Sequence, residues 1–155
     1  MKKKIFIIAI LCFVLDQISK IIVERFLEYG IQNTIIESFF SFTYIKNYGA
    51  AWGIFSNGTI VLAILSIVFL FFALKYIIEL KNANTLNTIS YGIVLGGVFG
   101  NLVDRLVRGH VVDFISFKIF SYDFPIFNVA DIFIVIGIAL IVIETLLENK
   151  KVKKW

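Results

Sequence analysis

The feature that most constrains this chain is a series of four apolar runs, each close to the length that an α-helix needs to cross a bilayer. They cover residues 5–23, 59–78, 89–107 and 126–147. About 20 helical residues cross about 30 Å of hydrocarbon. Since 59% of the 155 residues are hydrophobic, we predict an all-α membrane protein with four transmembrane helices and a single domain, residues 1–155.

The basic residues indicate how these helices are oriented. Many lie near the two ends of the chain, at the end of the second run, or between the second and third runs: Lys2, Lys3, Lys4, Lys75, Lys81, Lys150, Lys151, Lys153 and Lys154. Positively charged segments stay on the cytoplasmic side. We therefore expect both termini in the cytoplasm and residues 24–56 and 108–125 outside. This placement accounts for the net charge of +4 as a topology signal, and we expect no nucleic-acid partner.

Two aspartates lie at the predicted outer margin of the bilayer, where a carboxylate needs a functional or structural reason. Asp113 has apolar neighbours on both sides, and Asp131 lies near the start of the fourth run. Desolvation raises a carboxyl pKa, and two close carboxyl groups can share a proton and activate water, as in aspartic proteases. Asn128 precedes Asp131 by three residues on the same helix face, so it could orient that carboxyl group.

Two further polar groups lie in the predicted outer halves of the helices. Asp16 and Lys20 are four residues apart and can form an ion pair. This pair fits a salt bridge that pins the first helix as well as it fits a catalytic role. Asn101 and Arg105 share a face at the outer end of the third helix. The inner half of every span has no comparable polar feature.

The third run also carries Gly92, Gly96 and Gly100 at intervals of four, with Gly97 beside them. A stripe of small residues lets another helix approach closely, either within the bundle or between chains.

The outer segment, residues 24–56, is too long for a tight connection. Residues 40–46 alternate aromatic and polar side chains, which predicts a half-buried strand. The small residues of 47–53 permit close backbone approach. This segment could cap a membrane site, or it could be an interfacial hairpin that only anchors the fold.

Other hydrolytic machinery is missing from the sequence. One His and one Cys do not make a usual zinc site, and no Gly-x-Ser-x-Gly motif is present. The residues leave two hypotheses of different class: a membrane aspartic hydrolase, or a small carrier that moves protons or cations along its carboxylates. Carriers place their sites near the midplane, whereas these polar groups cluster in the outer half, which favours a site that faces outwards.

The chain resembles the lipoprotein signal peptidases, also called signal peptidase II, over nearly its whole length. The resemblance is carried by five ordered blocks: Asp16-Gln17-Ile18-Ser19-Lys20; Asn47-Tyr48-Gly49-Ala50-Ala51-Trp52; Gly96-Gly97 with Gly100-Asn101-Leu102-Val103-Asp104-Arg105; Val112-Asp113-Phe114; and Phe127-Asn128-Val129-Ala130-Asp131. Any one block is weakly specific, but five in this order are highly specific.

The resemblance implies a four-helix protease of the bacterial plasma membrane, with an extracytoplasmic strand region and a short amphipathic segment over the active site. The family's catalytic aspartates match Asp113 and Asp131. Asn47, Asn101, Arg105 and Asn128 match positions that line the site or hold substrate, and Asp16 and Lys20 match a supporting polar pair. The implied substrate is a prolipoprotein with a diacylglyceryl group on its lipobox cysteine, cleaved just before that cysteine. We expect no metal, no cofactor, membrane lipids as surroundings, and a monomer.

Overall fold

Four long helices and a small sheet make up the structure, a computed structural model that describes residues 2–50, 58–80, 84–120 and 122–152, with side chains as far as residue 147. The helices are α1 (Lys2–Phe26), α2 (Thr59–Glu79), α3 (Thr85–Val107) and α4 (Val129–Val152). Each is long and apolar enough to cross a membrane by length and composition. The predicted four-helix membrane fold is confirmed, whereas the side on which the termini lie stays a prediction.

Three predicted helix starts differ from the observed ones, and the first of them is α1, which begins at Lys2 and not at residue 5. α3 begins four residues early, because the Asn84 side chain accepts a hydrogen bond from the Asn87 backbone N–H at 2.8 Å and caps the helix. Hydropathy alone misses such a polar first turn. α4 begins at Val129 and not at residue 126, because Phe127 is still extended and its backbone N–H donates to the Ile115 carbonyl at 3.1 Å.

The central helix of the bundle is α3, which carries buried residues along its length, while α1, α2 and α4 expose most of their apolar side chains. The glycines of α3 make this packing possible. A Cβ at Gly96 would lie 2.5 Å from the Ala9 carbonyl oxygen of α1, and one at Gly97 would lie 2.6 Å from the Ala130 carbonyl oxygen of α4. The glycine stripe therefore serves close packing within the chain.

An antiparallel sheet of four described strands lies at one end of the bundle, in the order β1 (Gln32–Ile36), β2 (Phe40–Asn47), β3 (Val111–Ile119) and β4 (Tyr122–Asp123). The predicted strand over 40–46 is confirmed as β2. The sequence pattern predicts no strand over residues 111–119, where β3 lies. Its first five residues are all buried, so it lacks the period-two pattern that predicts a half-buried strand.

The sheet brings two distant segments together. The end of β2 pairs with the start of β3, so Asn47 lies opposite Val111 and Ile45 opposite Asp113. The predicted amphipathic segment does not appear as a helix in residues 27–50. Residues 51–57, which include Trp52 of the second motif, lie outside the described residues, so that part of the prediction is untested.

The inner ends of the helices are not featureless, and that expectation was wrong. Near the start of α3, Asn87, Thr88 and Ser90 are buried, and Glu144 of α4 is only 6% exposed. The Asn84 amide donates to the Glu144 carboxyl at 2.6 Å. The bond from Asn84 partly offsets the cost of burying the Glu144 carboxyl, while the Thr88 and Ser90 hydroxyls donate to the backbone carbonyls of Asn84 and Leu86 at 2.8 Å.

Candidate active site

Asp113 and Asp131 line one cavity of about 700 Å³ at the sheet end of the bundle. Asp113 is the third residue of β3 and Asp131 the third residue of α4. Asn128 contacts both: its side-chain amide donates to Asp113 at 2.6 Å, and its backbone N–H donates to Asp131 at 3.2 Å. The fold thus joins two carboxyl groups that are 18 positions apart through one asparagine.

The start of α4 explains the placement of Asp131. Asn128 lies directly before the helix, and its side-chain oxygen accepts from the Asp131 backbone N–H at 3.0 Å. The Asp131 carboxyl accepts in return from the Asn128 backbone N–H. This reciprocal pair is a capping box. The Asp131 side chain is therefore set by the local sequence and does not depend on a flexible loop.

Two other asparagines complete the hydrogen bonding of the aspartates. The Asn47 amide of β2 donates to Asp113 at 2.7 Å, and the Asn101 amide of α3 donates to Asp131 at 2.7 Å. Every oxygen of the two carboxyl groups accordingly accepts one hydrogen bond, two of them through Asn128. Since each carboxyl oxygen can accept more than one, lone pairs remain for water or substrate.

The burial of Asp113 has an electrostatic consequence. Its side chain is 1% exposed. Desolvation, followed by the nearby negative charge of Asp131, raises the pKa of Asp113 to about 7, although the hydrogen bonds from Asn47 and Asn128 and the charge of Lys20 oppose the shift. The Asp113 carboxyl can therefore hold or release a proton near neutral pH, as acid–base catalysis requires.

A buried ion cluster lies next to the aspartates. The Lys20 ammonium is 2.8 Å from both the Asp16 and the Asp104 carboxyl groups, and all three side chains are fully buried. Arg108 also pairs with Asp104. The expected Asp16–Lys20 pair is present, and Asp16 additionally accepts from the Ala130 backbone N–H at 3.0 Å. The pair therefore ties α1 to the start of α4.

Arg105 also lines the cavity. Its guanidinium donates to the Asn101 carbonyl at 3.2 Å and to the Gly49 carbonyl at 3.4 Å, so it connects α3 to the segment after β2. Every site residue expected from the sequence therefore lies at the cavity or in the adjoining ion cluster.

The predicted protease site did not include three residues of this region, although Asp104 belongs to the carboxylates of the carrier hypothesis. Asp104 and Gln17 belong to the motifs quoted above. Arg108 follows Asp104 by four residues, and this spacing is the sequence signal that could have identified the Asp104–Arg108 ion pair. Gln17 donates to Asp104 at 3.0 Å and accepts from Arg108 at 3.0 Å. These side chains complete the ion cluster and do not line the cavity.

Apolar side chains form the remaining wall of the cavity. They come from α3, from α4 and from the segment before α4: Val98, Phe124, Pro125, Ile126, Phe127, Ile132, Ile134, Val135 and Ile136. A cavity that has polar side chains on one side and apolar side chains on the other suits a substrate that carries both a peptide bond and hydrocarbon.

The fold and the cavity define the class: a multi-pass membrane protein with a polar site at one end of its helical bundle. Residues 8–147 match the model of the family described as signal peptidase (SPase) II, and the chain belongs to this family of membrane lipoprotein signal peptidases. The resemblance of the motifs is thereby confirmed. The family makes the protein a peptidase of the bacterial membrane.

Two solved structures, both described as bacterial membrane enzymes, are similar to this chain. The first is 35% identical, has a TM-score of 0.87, and the match covers 95% of this chain and 90% of that one. The second is 36% identical, has a TM-score of 0.81, and the match covers 92% of each chain. At this identity and coverage, the likeness extends over the helices and the sheet.

Proposed function

We propose that this protein is an aspartic endopeptidase that removes the signal peptide from diacylglyceryl-modified prolipoproteins, with Asp113 and Asp131 as the catalytic pair. The observation that carries the proposal is that both carboxyl groups line one cavity, with every oxygen held by a donor. Such an arrangement pre-positions two acids against one substrate carbonyl.

The reaction uses the two carboxyl groups in opposite protonation states. The ionised one removes a proton from water, and the protonated one donates to the scissile carbonyl oxygen. The two exchange roles as the amine leaves. The mechanism requires no covalent intermediate and no metal ion, and no group of three or more His, Cys, Asp or Glu that could hold a metal is found among the described residues.

The substrate assignment rests on the family and on the shape of the cavity. A diacylglyceryl group keeps the lipobox cysteine at the surface of the bilayer, and cleavage falls just before that cysteine. The apolar wall formed by α3 and α4 would accept hydrocarbon next to the aspartates. Asn47 and Arg105 would hold the peptide. We place this end of the bundle on the outer face, both termini in the cytoplasm, and the active unit as a single-domain monomer.

A carrier function has weaker support. On α3, residues 92–100 separate the outer polar cluster from the inner one and contain glycine, valine, isoleucine, leucine and phenylalanine alone. Nine helical residues span about 13 Å. A proton or cation path along this helix would have to cross that distance without a polar side chain of α3.

The test is cleavage of a diacylglyceryl-modified prolipoprotein by the purified protein in detergent with a chelator present. We expect cleavage before the lipidated cysteine by the parent and by Asp123→Asn, a matched change of an exposed acid on β4. Asp113→Asn and Asp131→Asn should be inactive while remaining folded. Substantial activity in either of these two variants would exclude the catalytic pair, and inhibition by the chelator would exclude the metal-independent mechanism.

A further inference from the structure

The two aspartates of the cavity are held in unequal surroundings. Asp131 lies in the first turn of α4, accepts a backbone N–H, and is partly exposed to the cavity. The N-terminus of a helix carries a partial positive charge, which favours a carboxylate. Asp113 lies within a strand and is 1% exposed, and its donors among the described residues are the neutral side-chain amides of Asn47 and Asn128.

The Asn101 amide is oriented by Lys20 and also by Asn128, whose side-chain amide donates to the Asn101 side-chain oxygen at 3.2 Å. The buried ammonium has three donors, which reach Asp16 at 2.8 Å, Asp104 at 2.8 Å and the Asn101 side-chain oxygen at 2.9 Å. Because an ammonium only donates, the Asn101 oxygen must face Lys20. The Asn101 NH₂ group then faces Asp131, to which it donates at 2.7 Å.

We propose that Lys20 is a positioning residue that acts through the Asn101 amide to keep Asp131 as the ionised member of the pair, so that Asp113 carries the proton before the reaction. This inference rests on the proposed aspartic mechanism and adds to it the identity of the base and of the acid.

Charged groups of both signs surround the aspartate pair. The charged groups that face Asp131 are Asp113 of β3, Arg105 of α3 and Lys20 of α1, and Lys20 in turn contacts Asp16 and Asp104. Lys20 and Arg108 balance Asp16 and Asp104 within the ion cluster. Arg105 is not part of that balance, so its positive charge is left to offset the single negative charge of the Asp113–Asp131 pair.

The assignment gives a balanced proton sequence. The Asp131 carboxylate takes a proton from water, the resulting hydroxide adds to the carbonyl carbon, and Asp113 donates its proton to the carbonyl oxygen, which yields a neutral gem-diol. Asp113 then takes a proton from one gem-diol hydroxyl while Asp131 donates to the nitrogen. The C–N bond breaks, and the pair returns to an ionised Asp131 and a protonated Asp113.

The experiment measures kcat and KM for a diacylglyceryl-modified prolipoprotein from about pH 5 to about pH 9. In the plot of log kcat against pH, the acidic limb reports the pKa of the base, Asp131, and the alkaline limb reports the pKa of the acid, Asp113. The variants are Asn101→Ala, Asn47→Ala and the double variant Lys20→Met with Asp16→Asn. The double variant keeps the ion cluster neutral, and Asn101→Ala leaves Lys20 paired with both carboxylates, so the two variants break the Lys20–Asn101 contact in independent ways, and each is read only where it is folded. Glu144→Gln, a buried carboxyl at the inner end, is the control.

We expect the acidic limb to move upward by about one pH unit in Asn101→Ala and in the double variant, with kcat about tenfold lower on that limb, because one lost hydrogen bond to the ionised form is of this size. Asn47→Ala should move the alkaline limb upward instead, since it removes a donor to the ionised form of Asp113. Glu144→Gln should follow the parent profile.

Two results would overturn the assignment: an unmoved acidic limb in folded Asn101→Ala, or the exchanged pattern in which Asn47→Ala moves the acidic limb and Asn101→Ala the alkaline one. A purely structural role of Lys20 would lower the yield without moving either limb. Failure of the proposed function is distinguishable, because it requires cleavage by Asp113→Asn or Asp131→Asn.

Discussion

Replacing Asp113 by Asn should change how the stability of the protein depends on pH. Burial and the charge of Asp131 raise the pKa of Asp113 from 3.8 to about 7. An acid whose folded pKa is raised binds its proton more tightly in the folded state than in the unfolded chain. Between about pH 4 and pH 7 the folded protein therefore retains a proton that the unfolded chain releases, and the free energy of unfolding falls as the pH rises.

The size of this effect follows from the shift. Each pKa unit corresponds to about 1.4 kcal/mol, so the full shift of Asp113 lowers the free energy of unfolding by about 4 kcal/mol between pH 4 and pH 7. This loss of stability is absent at pH values below the pKa of Asp113 in the unfolded chain, and it is complete above pH 7. Asp113→Asn removes the titrating group, and this part of the pH dependence should disappear with it.

Unfolding in mixed detergent micelles at a series of pH values measures the difference. The free energy of unfolding of Asp113→Asn, relative to the parent, should rise by a few kcal/mol from pH 4 to pH 7. Asp123→Asn is the control, since Asp123 is exposed and its pair with Lys118, at 3.3 Å, is a surface ion pair of small value. A difference between Asp113→Asn and the parent that stays constant with pH would refute the reasoning.

Three further changes test the architecture around the site. Asp16→Ala should lower the folded yield and reduce the free energy of unfolding by about 3 to 5 kcal/mol, because it removes one partner of a fully buried ion pair with Lys20. Thermal melting and turnover are measured together, and a stable but inactive variant would contradict this prediction. Gly97→Ala should destabilise the α3–α4 contact, since its Cβ would meet the Ala130 carbonyl; an unchanged melting temperature would contradict the packing role. Asn84→Ala should cost more than about 1 kcal/mol, because it removes the helix cap and also the donor to the buried Glu144 carboxyl. Asn84→Ser keeps a capping oxygen but not that donor, so it should recover only the share of the cap, and equal melting temperatures for the two variants would argue against the cap.

The helices could be predicted because hydrophobic length is a local property, but their starts could not. Asn84 and Asn128 both act at the beginning of a helix, and hydropathy treats such polar residues as the end of a span. The strand of β3 was missed for a related reason. Val111 to Ile115 are buried on both faces, so the alternation that would identify a half-buried strand is missing.

The candidate site could be predicted as a set of residues but not as a network. The sequence and the motif resemblance selected Asp113, Asp131, Asn47, Asn101 and the pair of Asp16 and Lys20. They could not indicate that Lys20 bridges Asp16 and Asp104, because the ion pair with Asp104 joins α1 to α3 across 84 positions of the chain. They also did not indicate the buried Glu144, since only the packing of α4 on α3 brings it to Asn84.

By itself, the sequence determined that this chain lies in a membrane, that four helices cross it, and which polar residues stand at their ends. These properties depend on the apolar length and on the residue types at each position. Only the tertiary structure decided that Asn128 joins Asp113 to Asp131, and that Lys20 orients Asn101 towards Asp131. Hydrogen-bond direction depends on which donors and acceptors meet, and in this protein they meet from α1, α3, β2, β3 and α4.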